Sequence, residues 1–245
     1  MKHEATAAAT GPASGIRANA GAADRQFGEG PLARVTAPVY SFLVLDLLLL
    51  ATTLPTLVAL VVLDRDASNA PVAIACALPV GPALSAALYA LRHRSRDLTD
   101  LRPAAAFWRG YKMNAVGVLR LWVPYLAGMA LIAESLSHAE AAAVPGWWRA
   151  ALVVIAVAAT LWMVNALMIS SLFAFRTIDV ARLAAYFLGR TRGVTLGNLG
   201  VLIAAAVVVG FSSEAVLALF AVLFAAALLH VCSPLTEQVE KDFTA

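Results

Sequence analysis

Charge is what this sequence has least of. Only 13% of its 245 residues are Asp, Glu, Lys or Arg, against 61% hydrophobic residues. A soluble domain carries about 25% charged and about 45–50% apolar residues. So few charges cannot solvate the surface of a globule this size. That excludes an ordinary cytosolic enzyme, a nucleic-acid-binding domain and a disordered chain. Cysteine is scarce as well: Cys76 and Cys232 stand far apart inside apolar runs, with no CxxC or Cys/His spacing. Neither a disulfide framework nor a zinc site is indicated, and both thiols read as small buried apolar residues. Catalytic patterns are lacking too. There is no HExxH, no P-loop and no Rossmann glycine pattern, and Gly210-Phe211-Ser212 lacks the closing glycine of a nucleophile elbow. The reading is of a non-enzyme without cofactor or metal.

What the chain has is long apolar runs, with a mean hydropathy of +0.80. A membrane-crossing helix needs about 20 mostly apolar residues. Five runs qualify at about 38–63, 71–91, 114–133, 150–174 and 194–232, and the last is too long for one span. A turn and a charge at Gly210–Glu214 divide it into about 194–210 and 214–232. The expected fold is therefore all-α, a polytopic membrane bundle of about six helices over 38–232. Residues 1–37 read as a flexible tail without a secretory signal core, and 233–245 as a C-terminal tail.

Charge placement sets the expected orientation, because Lys and Arg accumulate in loops that stay in the cytoplasm. The tail holds Lys2, Arg17, Arg25 and Arg34; the loop after span two holds Arg92, Arg94, Arg96, Arg102, Arg109 and Lys112; the loop after span four holds Arg176, Arg182, Arg190 and Arg192. The opposite loops are poor in both. This alternation places both termini in the cytoplasm and Trp147 and Trp148 at the outer interface. The two basic loops also look alike. DLRPAAAFWRG from Asp100 and DVARLAAYFLG from Asp179 share an aromatic pair and a glycine at matching positions. Either a parallel repeat or two independent amphipathic helices at the cytoplasmic interface would produce this. Their arginines would meet anionic headgroups.

Few polar residues enter the spans. Asp46, Arg120 and Asn165 each fall roughly 9–14 Å from the cytoplasmic face at the α-helical rise. Two readings follow. One is an Asp46–Arg120 pair assisted by Asn165 at a substrate or proton site. The other, preferred, has Arg120 reaching to the headgroups, Asp46 capped by a neighbouring helix and Asn165 joining helices. Pro79, Gly81 and Pro82 predict a break or kink in span two, for packing or for a cavity. Gly197 and Gly200 read as close helix contacts.

Residues 78–114 carry a more specific pattern: Gly81-Pro82-Ala83, then Ala86, Ala87 and Tyr89, a basic loop, and Phe107-Trp108-Arg109-Gly110-Tyr111-Lys112. This stretch resembles the YesL-like family of bacterial integral membrane proteins. Asp46 stands where that family often has Asn, and Asp64–Ala70 lengthen the first hairpin. The resemblance implies no catalytic residues. It implies an accessory or regulatory role beside carbohydrate uptake, with sugar-transporter subunits as partners. The alternative is a small secondary transporter with a polar site near Asp46 and Arg120.

Overall fold

The computed structural model describes residues 31–63, 69–93, 102–139, 145–212 and 214–243. The expectations about residues 1–30, Arg65, Arg94, Arg96 and Asp100 lie outside them. Among the described residues 91% are helical and no strand occurs. The helices are α1 (Pro31–Val62), α2 (Ala70–Cys76), α3 (Val80–Arg92), α4 (Pro103–Ser137), α5 (Gly146–Leu172), α6 (Thr177–Arg190), α7 (Arg192–Phe211), α8 (Glu214–Leu219), α9 (Ala221–Val231) and α10 (Ser233–Phe243).

Five segments are long and apolar enough to cross a membrane: Pro38–Ala59, Pro71–Arg92, Pro103–Ser137, Gly146–Leu172 and Arg192–Phe211. The pair Ala221–Val231 and Ser233–Lys241, bent by 49°, makes a sixth if it is counted as one span. The expected division of the last apolar run falls where α7 ends, at Phe211. Residues 233–243, read as tail, form α10, and its Leu235, Thr236 and Val239 are buried.

The centre of the bundle is α3. Gly81, Pro82, Ala83, Ser85, Ala86, Ala87, Leu88, Ala90 and Leu91 are all buried, so this helix is enclosed on nearly every side. It packs on α1, α4, α5 and α9. Small side chains make that possible, because they let neighbouring backbones approach closely where no hydrophobic effect drives association. Gly81 lies under the Trp122 indole, where an added Cβ would stand 2.6 Å from ring carbons. Gly110 of α4 lies against Tyr89 of α3 in the same way, at 2.8 Å. Residues 81–89 of α3 therefore run antiparallel along α4 from Trp122 to Gly110.

The break in span two falls at Ala77–Pro79, one turn ahead of Gly81. Pro79 and Pro82 supply no N–H, and Val80 N–H turns back to Ala77 O at 3.1 Å. Side chains also bond two carbonyls at the break. Thr56 Oγ1 of α1 donates to Cys76 O at 2.6 Å, and Trp122 Nε1 of α4 donates to Ala77 O at 3.0 Å. The break thus joins three helices.

The two basic loops part company here. Residues 103–112, expected as a separate surface helix, run without interruption into span three as a 35-residue α4. At about 1.5 Å per residue this exceeds the hydrocarbon thickness of about 30 Å, so α4 must project beyond it. The second loop does form a separate amphipathic helix, α6, burying Val180, Ala184 and Phe187. It stops at Thr191, whose hydroxyl donates to Phe187 O at 2.7 Å, while Thr195 Oγ1 donates to Leu188 O at 2.8 Å. The aligned positions in the first loop are Lys112 and Val116, which carry no hydroxyl. Burial also breaks the aligned register. Phe107 is buried and Trp108 exposed, but their counterparts Tyr186 and Phe187 are exposed and buried in that order. A Cβ on Gly189 would meet open space, unlike one on Gly110.

Candidate functional site

The structure does not gather Asp46, Arg120 and Asn165 into one site. Along α1, Ser41, Leu45, Leu49, Thr56 and Ala59 form the buried stripe, and Leu43 and Leu47 face outward. Asp46 sits beside that stripe and reaches α9. Its Oδ1 accepts the Val222 N–H at 3.3 Å. The physical reason is the break at Phe220, whose side chain offers no capping oxygen to the first turn of α9. A carboxylate at a helix N-terminus also meets the favourable end of the helix dipole. Arg120 is exposed on α4, and no ion pair joins it to Asp46. Pro124, four residues on, leaves the Arg120 carbonyl without its usual helical donor.

Asn165 belongs to a different constellation. It is fully buried on α5, and its Oδ1 accepts from Asn198 Nδ2 of α7 at 3.2 Å. The same Nδ2 approaches Cys232 Sγ at 3.4 Å, and the thiol in turn donates to Asn198 Oδ1 at 3.5 Å. Cys232 is therefore more than an apolar filler: with Asn198 it closes a polar ring at the joint between α9 and α10. Asn165 Nδ2 is buried and finds no acceptor among the described residues. Next to Asn198, Gly197 lies against Val231, with a virtual Cβ 2.5 Å from its Cγ1, whereas one on Gly200 meets nothing within 4 Å. Only Val194 and Asn198 of α7 are buried. The Asn198 amide and the Gly197 contact thus tie this peripheral helix to α5 and α9. The sequence reading passed over Asn198; its adjacency to Gly197 in an apolar run was the available signal.

Further polar ties hold the basic end of the bundle. Trp162 Nε1 donates to Ala181 O of α6 at 3.0 Å, and Asn114 Nδ2 to Ser171 O at 3.4 Å. Ser170 and Ser171 bond carbonyls of their own helix. Among the described residues no cluster of three or more His, Cys, Asp or Glu could hold a metal. The amides of Asn114, Asn165 and Asn198, the indole of Trp162 and the buried Cys232 thiol, turned toward neighbouring helices, form a chemistry of helix association.

Apolar residues cover the perimeter: Leu47 is 68%, Leu131 71% and Val154 67% exposed. Water would not tolerate a continuous apolar surface of this kind on a monomer. The fold and its polar ties define a multi-pass helical membrane protein. No family model, curated protein or solved structure matches the chain.

Proposed function

We propose that the protein is a multi-pass cell-membrane protein with both termini and its arginine-rich end in the cytoplasm. It acts there as an accessory or regulatory partner of a carbohydrate uptake system and carries out no chemistry of its own. The observation that carries this reading is the filled axis of the bundle. Helix α3 occupies it with small, closely packed residues, and the Asp46 carboxylate is committed to the N-terminus of α9. Secondary transporters typically build a polar site at the repeat interface near the midplane, from broken helices. Here the broken span closes on Thr56 and Trp122 instead. The carbohydrate element of the proposal rests on the resemblance of residues 78–114 to the YesL-like family. Exposed Arg102, Arg109, Lys112, Arg182, Arg190 and Arg192 would meet anionic headgroups at the cytoplasmic face.

The test is purification of the full chain in native lipid followed by mass spectrometry of what accompanies it. Sugar-transporter subunits are the expected companions. Sugar uptake by liposomes holding this chain alone, lost on Asp46→Asn, would instead establish the transporter alternative.

A further inference from the structure

A cavity of about 180 Å³, partly open, lies among α3, α4, α5, α7 and α9. We infer that it seats one acyl chain of a membrane phospholipid. Its deep wall consists of buried Leu88, Trp122, Met163, Leu167, Met168 and Ala225. Three hydrogen-bond donors line it, and all three are spent elsewhere. Trp122 Nε1 donates to Ala77 O at 3.0 Å. Thr160 Oγ1 gives its proton to Ala156 O at 2.8 Å. Its 3.1 Å contact with Tyr125 must therefore run from the Tyr125 hydroxyl to Thr160. A sugar has many hydroxyl acceptors and would find nothing here to donate to them. Hydrocarbon is the matching occupant.

Size and depth narrow the choice. An apolar cavity of about 150 Å³ accommodates a six-carbon ring, so this one takes a chain segment of similar carbon count. Tyr125 and Thr160 stand near the middle of α4 and α5, and the surrounding perimeter is apolar. The opening therefore faces the level of lipid chain ends rather than headgroups. Met163 and Met168 give the wall two adaptable side chains that can follow a flexible chain. A seat at this depth would let lipid composition act on the packing of α9 against α3 and α7.

The test uses Trp122, which is 8% exposed and lines the cavity. The full chain is reconstituted in phosphatidylcholine vesicles brominated near the chain ends, and in unbrominated vesicles. Bromine quenching in the wild type should exceed that in Trp122→Phe, the difference being the Trp122 share. Ala225→Leu fills the cavity and should abolish the difference; Leu228→Phe serves where Ala225→Leu shows no cooperative thermal unfolding. Native mass spectrometry from mild detergent should show a retained phospholipid that the filled variant loses. Trp122 emission indifferent to bromine, or quenched equally in the filled variant, overturns the inference. So does an isoprenoid mass in place of the phospholipid.

Discussion

At the scale of single residues, the polar side chains inside this bundle act through the partner each one finds. Asn198 carries the most, because its amide meets both Asn165 and Cys232 while the rest of α7 is largely exposed. Interhelical hydrogen bonds in membranes average about 0.6 kcal/mol and reach about 1.7 kcal/mol. Asn198→Leu should therefore lower the unfolding free energy by about 1–2 kcal/mol. Reversible unfolding in mixed micelles of sodium dodecyl sulfate and a mild detergent would measure it. Combining it with Asn165→Leu should cost less than the two single changes added, since Asn165 has no other side-chain partner to lose. Strict additivity would mean the two amides do not interact. Asp46 permits a sharper comparison. Asn at that position keeps an oxygen for the Val222 N–H, whereas Leu removes the cap, a loss of about 1 kcal/mol. In the same assay Asp46→Asn should lie near wild type and Asp46→Leu below it. Equal destabilisation by both would show that the charge, rather than the hydrogen bond, holds α9.

At the scale of helices, close approach decides the architecture. Gly81→Ala would drive a methyl group into the Trp122 indole and disturb its bond to Ala77 O. Overpacking of that kind costs about 1–3 kcal/mol. Gly117 is the control, since a Cβ there meets nothing within 4 Å. Gly117→Ala should be neutral or stabilising by up to about 1 kcal/mol through helix propensity. Thermal unfolding of the two variants side by side separates contact from propensity; equal melting temperatures would refute the close-packing account of Gly81. These elements also show what a sequence can and cannot disclose. Pro79, Gly81 and Pro82 announce the break, because proline acts on its own backbone. The partners that close it, Thr56 and Trp122, are 20 and 45 residues distant from the carbonyls they bind, and no local pattern connects them. The same limit explains the two basic loops. Their compositions match, yet one continues into its span and the other stops. The hydroxyls of Thr191 and Thr195 favour the stop, a difference of two side chains within a similar background.

At the scale of the molecule, the apolar perimeter and antiparallel neighbours follow from hydropathy, and so the bundle was legible almost entirely from composition. The gathering of polar groups was not, because which face of a span turns inward depends on helices far away in sequence. Sequence position leaves Asp46 open either to Arg120 or, in the preferred reading, to a cap on a neighbouring helix; rotation about the helix axes directs Asp46 to α9 and leaves Arg120 exposed. The question left for the whole fold is the last crossing, where α9 and α10 bend by 49°. Single cysteines in a Cys76→Ser, Cys232→Ser background resolve it. Exposed His138 and Ser212 stand at one end of the bundle, and exposed His93 and Arg192 at the other. An impermeant maleimide applied to intact cells should label His138→Cys and Ser212→Cys, while His93→Cys and Arg192→Cys should react only after permeabilisation. The reverse pattern would invert the proposed orientation without altering the fold. Lys241→Cys is the deciding position. If the bent pair completes a sixth crossing, it reacts with the His93 group. Reaction with the Ser212 group would make α9 and α10 a re-entrant hairpin, leaving five spans and the chain's two ends on opposite faces.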